Sequence, residues 1–375
     1  MRLFLVGIVC WTLFATRAGA SGPFTAAPTL TLAAEIDSMA MAAIVKRVTP
    51  AAKVEFGEVD SGKVDFVVES VIKGDKLARV GQKLTVTTFS EGNAGDLYLL
   101  LAQDEKLTKW TTPLRISPRA PDYLLKLGSL PKEGPDRLKF FYTHFEDQDE
   151  LLARDAFDEF EEVSFATLQK LKPVLQHDQL VKWIQDHEIP ASRKRLYYRL
   201  LSICGSDRDL PLLESVFKST NRKDRSGLDA AIDCYLVLHG AEGLPLVEGL
   251  FIRNKKADYA DTYSAILALR LHVNERHSIP REKTIASLRL MLQRLELADL
   301  VIPDLAKWED WSVVDEVFTA FKNSTEETKW VRVPAIQYLR RCPLEKAKEH
   351  LKACERIDPH SIQKANEQIT RERKP

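Results

Sequence analysis

No CxxC pair, HExxH helix, GxSxG elbow or glycine-rich phosphate loop occurs in these 375 residues. Their absence removes the usual signatures of zinc sites, metalloproteases, serine hydrolases and nucleotide cradles. An excess of one charge is also missing, since 54 basic residues meet 54 acidic ones. Without Arg2 and Arg17 of the N-terminal segment the balance is 52 against 54. A chain so balanced exerts no global pull on nucleic acid, and no nucleic-acid partner is expected. Cysteine is absent between Ser21 and Ile203. Beyond the first 15 residues no apolar run is judged long enough to span a bilayer.

The N-terminus carries an export pattern. Arg2 precedes an apolar run of about 13 residues, Leu3 to Ala15, short of the roughly 20 that a membrane helix needs. Ala18-Gly19-Ala20 fits the small-x-small cleavage rule, so residues 1–20 read as a signal peptide and Ser21 as the mature start. No stable membrane span is expected after cleavage. Cys10 lacks the flanking residues of a lipid-modified cysteine. Residues 21–33, rich in Ala, Thr and Pro, form a leader. Four cysteines remain in the mature chain. Cys342 and Cys354 flank one predicted helix, about 18 Å apart at the helical rise, too far for a disulfide. Cys204 and Cys234 fall on equivalent helices of adjacent units. They are read as small core residues, with a disulfide as the alternative.

Residues 192–358 are a run of short amphipathic helices with one unit visibly duplicated. Leu210-Pro211-Leu212-Leu213-Glu214 returns as Leu244-Pro245-Leu246-Val247-Glu248, an offset of 34 residues (244 minus 210). Leu213, Val216 and Phe217 match Val247, Leu250 and Phe251, the i, i+3, i+4 face of a helix. Pro211 and Pro245 suit a first helical turn, where a missing N–H costs nothing. Gly205 and Gly240 are expected to end the preceding helices in left-handed turns. A helical hairpin of this kind cannot bury its stripe alone and stacks on its neighbours. Later stripes keep the period: Tyr259, Tyr263, Ile266 and Leu267; Ile285, Leu288, Leu292 and Leu295; Val314, Val317, Phe318 and Phe321.

From Met41 to Ile116 the pattern is shorter and partly alternating. Strands are predicted at Met41–Val45, Lys63–Val71, Leu84–Phe89, Asp96–Ala102 and Trp110–Ile116. Five strands in about 80 residues with no long helix between them predict a small antiparallel barrel over 34–130. Gly134-Pro135 marks a boundary, and a helical domain is assigned to 135–358, with 359–375 as a frayed basic tail. Nine acids against one base lie between Phe145 and Glu162. They read either as a solvated helix face or as a docking strip for a basic partner or a divalent cation.

The strand order, with Val71-Ile72-Lys73-Gly74, Val80-Gly81-Gln82 and Tyr98-Leu99-Leu100-Leu101, resembles oligonucleotide/oligosaccharide-binding barrels in their exported netrin-like form. Inhibitors of that type chelate a protease zinc through an N-terminal cysteine, which this chain lacks, so that mechanism is not implied. The helical part resembles HEAT-like repeat proteins. The whole is also similar to an exported bacterial family of unassigned function, through Gly227-Leu228-Asp229-Ala230, Tyr259-Ala260-Asp261-Thr262-Tyr263, Ala298 to Trp311 and Trp330-Val331-Arg332-Val333-Pro334. The resemblance implies a mainly α architecture, an α-solenoid of HEAT-like hairpins after a small β-barrel. It implies no activity.

The sharpest local feature is Trp308-Glu309-Asp310-Trp311, with Asp304 one turn upstream. Trp308, Trp311, Trp330, Asp304 and Arg332 form the candidate binding cluster. Indoles beside carboxylates stack on sugars or anchor a protein partner. Alternatively each indole packs between helices while the acids cap them. No catalytic residue, metal or cofactor is assigned. His272 with His277, and His177 with His187, lack zinc spacing. The expectation is an exported, non-enzymatic scaffold that binds a protein or extended polymer on a repeat surface. The rival is an envelope carbohydrate-binding factor or hydrolase that uses the same cluster. A third reading, protease inhibition by the barrel, is handicapped by the missing cysteine.

Overall fold

The computed structural model describes residues 30–49, 62–88, 92–161, 163–276 and 278–372. The signal peptide and most of the leader lie outside these residues. The chain divides into two compact units, Met1–Leu171 and Lys172–Pro375.

The first unit is built on a five-stranded antiparallel sheet. Helix α1 (Leu32–Ser38) precedes β1 (Met41–Arg47), followed by β2 (Lys63–Lys73), β3 (Lys83–Thr87), β4 (Leu97–Ala102) and β5 (Leu114–Ile116). Leu32 and Ala33, assigned above to the leader, already belong to α1. The strand order is β3-β2-β1-β4-β5. β1 is therefore central, and Met41 to Val45 are buried on both faces. One face gathers Met41, Ala43 and Val45 with Phe66, Val68, Tyr98 and Leu100, alternate residues of neighbouring strands. The other face is also covered, since Ala42, Ile44, Leu99 and Leu101 are buried. Gly74 (φ +81) ends β2 where the backbone of Ala40 passes, and a Cβ there would lie 2.8 Å from the Ala40 carbonyl oxygen.

The expected barrel is not formed. β3 pairs with β2 and β5 with β4, and these two edges stand at opposite ends of the sheet. Closure requires the two edges to pair along their length. β5 is only three residues long. On β3, Lys83, Thr85 and Thr87 alternate with the buried Leu84 and Val86, which keeps that edge polar.

Helices α2 (Ala120–Leu127), α3 (Pro135–Tyr142), α4 (Glu150–Glu161) and α5 (Phe165–Gln169) complete this unit. Tyr123, Phe140 and Phe141 pack ring to ring, as do Phe145 and Phe160. The acidic run is largely turned to internal use rather than forming one solvated face. Asp147 accepts from Arg119, Glu159 is held at 2.7 and 2.9 Å by Arg137, and Asp149 accepts from Ser117. Asp155 is buried, where it accepts from the Leu32 backbone N–H and the Tyr123 hydroxyl, both at 2.6 Å. It thereby pins the start of α1 to α4.

The second unit is helical throughout. It comprises α6 (His177–Gln185), α7 (Ala191–Cys204), α8 (Leu210–Lys218), α9 (Leu228–His239), α10 (Leu244–Val247) and α11 (Tyr259–Asn274). Then follow α12 (Arg281–Arg289), α13 (Ile302–Lys307), α14 (Val314–Asn323), α15 (Arg332–Arg341), α16 (Glu345–Ile357) and α17 (Pro359–Glu372). Helices α7, α9 and α11 pack side by side, as do α13, α15 and α17. The others fill in against them: α6 on α7, α8 on α9, α12 on α11, and α14 and α16 on α15. The duplicated motifs open α8 and α10, each with its proline in the first turn. Phe217 and Phe251, equivalent across the offset, meet edge to face at 5.9 Å.

Four local expectations are revised. Gly240 is left-handed (φ +66), but Gly205 is extended, and it is needed because a Cβ would lie 2.7 Å from the Leu201 carbonyl oxygen. After α10 the backbone widens into one π turn, Glu248–Ile252, instead of a regular helix. The basic tail is folded, since α17 packs on α15 and α16 and buries Ala365 and Ser361. The run Leu228–Ile252 passes the length and apolarity test for a membrane crossing, unlike the expectation above, but Gly240 breaks it between α9 and α10. Cys204, Cys234, Cys342 and Cys354 are unbonded.

Burial raises the Asp155 carboxyl to about 6, with Glu159 and Asp158 adding to the effect against the two donors. An unfolded aspartate titrates near about 3.9. The folded state thus holds this proton more tightly, and the associated stability is full below about pH 4 and lost as the pH rises through about 6. Relative to Asp155→Asn, the native chain should lose roughly 3 kcal/mol of unfolding free energy between those limits, at about 1.4 kcal/mol per unit. Denaturant melts of both proteins across that range check this; a difference independent of pH contradicts it.

Candidate functional site

The five candidate residues belong to the second unit and sit where successive helices meet. α13 is short and opens with Pro303 in its first turn. Its C-terminus turns sharply. Glu309 adopts a left-handed conformation (φ +58), and the Asp310 N–H reaches back to the Leu305 carbonyl at 2.9 Å. Glycine usually takes that position. The turn separates the two indoles. Trp308 is half-buried and donates to Asn274 at the end of α11 at 3.0 Å. Trp311 packs its ring edge against Tyr338 of α15, centroids 5.2 Å apart. The indoles thus act between helices, and they do not form one open cleft wall.

The charged members are likewise committed. Asp304 accepts from Arg270 Nε at 2.6 Å, and the same guanidinium also donates to the Leu300 carbonyl. Burial pushes the Asp304 carboxyl up, against the pull of Arg270. Arg332 donates to Asp358 at 2.7 Å and to the Ser324 hydroxyl and carbonyl at 2.7 and 3.0 Å, and it lies over the Phe321 ring. Burial would raise Asp358, but Ser361 and Arg332 hold it well below the usual carboxylate range. Trp330 is the exception. It is 49% exposed, with its Nε1 3.3 Å from the Glu296 carbonyl.

These ties share a separation. Arg195 to Asp229, Arg270 to Asp304, Trp308 to Asn274 and Trp330 to Glu296 each span 34 residues. Arg222 to Asp258 and Arg225 to Asp261 span 36. The sequence period therefore reappears as a ladder in which arginines donate forward to the later aspartates and the two indoles donate back to the earlier segment.

A second polar group is sealed between α9 and the end of α11. Asp233 accepts two bonds from Arg276, at 3.2 and 2.8 Å, and lies 3.2 Å from His272 Nε2. Burial alone would raise Asp233, yet His272 and Arg276 hold its carboxyl at about 2. Ser278 Oγ stands 3.3 Å from His272 Nδ1. Hydroxyl, imidazole and carboxylate follow one another, but the carboxylate is shared with Arg276. That leaves it less available to an imidazolium than in a nucleophile-activating triad. Among the described residues no group of three His, Cys, Asp or Glu is placed to hold a metal ion, and His277 lies outside them.

No family model, curated protein or solved structure matches this chain.

Sequence reasoning passed over Lys194. It is 1% exposed and its Nζ has no hydrogen-bond partner. The signal was a lysine in register with the apolar stripe, three and four residues before the buried Tyr197 and Tyr198. Burial lowers its pKa, opposed by Asp186 and Asp224 at longer range. An unpaired buried polar group costs about 1–3 kcal/mol in proteins. Lys194→Met should therefore raise the unfolding free energy by about that amount. Urea titration tests this, and an unchanged or lower value would mean that the amine has a compensating partner.

Proposed function

We propose that the second unit is an α-solenoid of HEAT-like hairpins that works as a non-enzymatic interaction scaffold for a protein or another extended chain. The observation that carries this reading is how the surface is divided. Asp304 and Arg332 of the candidate cluster are each paired, with Arg270 and Asp358, whereas large apolar side chains at helix starts stay open. Tyr259 begins α11 and is 57% exposed; Trp330 immediately precedes α15 and is 49% exposed. Tyr259 also stacks on Tyr263, at 6.0 Å with nearly parallel planes. Rigid aromatic groups on a fixed backbone lose little entropy on contact and are common anchors in interfaces.

The chain is further proposed to act outside the cytoplasm, on the strength of its N-terminal segment. The rival hydrolase reading needs carboxylates free to exchange a proton. Asp304 is held by Arg270, and Asp310 is held by Arg289 at 2.6 and 2.8 Å. Burial would raise Asp310, yet Arg289 and Ser312 keep it low. The cluster is thereby better suited to holding helices together than to acid–base work.

The test is a photo-crosslinking residue placed at position 330, with position 348 on α16 as control, in the mature chain exposed to an envelope extract. Position 330 should give discrete adducts that excess unmodified protein competes away, and position 348 should not. Trp330→Ala should weaken the captured partner's binding by about 2 kcal/mol, roughly thirtyfold. Its effect on folding should stay within about 1 kcal/mol, as for other surface changes. Equal labelling at both positions, or none, contradicts the proposal.

A further inference from the structure

Lys194 lines a cavity of about 260 Å³ within the second unit, with its amine buried behind the wall. The space lies between α6, α7 and α8, and its other walls include Ile184, Leu212, Val216, His187 and Asp224. Lys194 reaches this wall from α7, whose neighbouring turn is locked by the buried Tyr197 and Tyr198. The side chain is sealed from bulk water, and Nζ is bonded to no protein acceptor. An ammonium carries three donors and no acceptor. Buried without a partner, it either loses its proton or takes an acceptor from outside the chain.

The acid that lines the same cavity does not serve it. Asp224 accepts from the Ser219 hydroxyl at 2.6 Å and from Asn221 Nδ2 at 3.4 Å, and it lies 2.8 Å from His187 Nε2. Its carboxylate is occupied at the rim. Ser215 donates its proton to the Leu212 carbonyl at 2.6 Å, which leaves the hydroxyl oxygen able only to accept. Within the cavity the unmet demand is therefore for one anionic acceptor at Lys194. The rest of the lining is the Gln185 amide and the aliphatic side chains of Ile184, Leu212 and Val216.

These features restrict the ligand. A single cation balances a single negative charge, and Asp224 at the rim repels a dianion such as inorganic phosphate. An apolar lining beside one fixed charge is the usual make-up of a small-molecule site, and the volume lies at the small end of that range. We propose that this cavity binds a small monocarboxylate with a short apolar tail, its tail along Ile184, Leu212 and Val216 and its carboxylate on Lys194 Nζ, which turns out of its buried position to meet it. The site is separate from the aromatic surface of the scaffold reading and does not depend on it.

Butyrate serves as the probe, with butyramide as its neutral isostere and inorganic phosphate as the multiply charged control. Calorimetric titration into the full chain should show saturable binding of butyrate, with butyramide and phosphate at least about tenfold weaker. Lys194→Met keeps the volume and removes the charge, and should abolish butyrate binding while the melting curve stays cooperative. Leu212→Phe narrows the tail side and leaves the amine, and should weaken butyrate more than acetate. The proposal is overturned if butyrate and butyramide bind alike, if phosphate binds best, if Lys194→Met binds butyrate as well as the native chain, or if no butyrate binding occurs at tens of millimolar.

Discussion

The second unit depends on arginine–aspartate pairs that tie helices 26 to 36 residues apart. Apolar stripes alone supply the area that holds neighbouring helices together, but they tolerate sliding, because one aliphatic contact replaces another. A guanidinium facing a half-buried carboxylate does not tolerate it. In Arg225–Asp261, Arg270–Asp304 and Arg332–Asp358 both partners are less than one-quarter exposed. A register shift would leave two desolvated charges without partners, a loss of about 3–5 kcal/mol for each broken pair. Such pairs add little net stability over a well-packed apolar contact, so their effect is on alignment rather than on strength. Their acids sit in or beside the first turns of α9, α11, α13 and α17, where the helix dipole also favours negative charge.

The first unit reaches order by another route. Its first strand occupies the middle of the sheet, buried on both faces, so β2 and β4 are assembled around it and the later strands fall to the edges. Helix α1 is fixed from a distance of 123 residues by the Asp155 carboxylate, which accepts its leading N–H. At the other end of α1, the Lys73 ammonium donates to the Asp37 carbonyl at 2.6 Å. A helix of seven residues is marginal by itself. Here both of its ends are satisfied by residues far along the chain.

Much of this was legible before any coordinates. The 34-residue offset of the Leu-Pro motifs returns as the separation of the inter-helix bonds, and the stripe positions Phe217 and Phe251 touch. The strands at 63 and 84 follow from local alternation, and those at 41 and 97 from short continuous apolar runs. What was not legible is set by pairing at long range. Whether a sheet closes depends on two edges finding each other, and no local pattern encodes that. Asp304 and Arg332 looked like surface contacts because a lone charge in a sequence does not reveal Arg270 or Asp358 beside it. Lys194 was hidden for the opposite reason, since a cation within an apolar stripe reads as a solvated interruption until its burial is seen. The extended Gly205 shows the same limit, because a glycine marks a close approach without saying which backbone comes near.

The central claim is that charge pairs across the repeat set the helix register, and a double-mutant cycle on Arg270 and Asp304 addresses it most directly. Unfolding free energies would be measured for the native chain, Arg270→Met, Asp304→Leu and the double variant. The account predicts that the double variant is less destabilised than the sum of the single changes, by about 1–3 kcal/mol. Additivity within about 0.5 kcal/mol would contradict it.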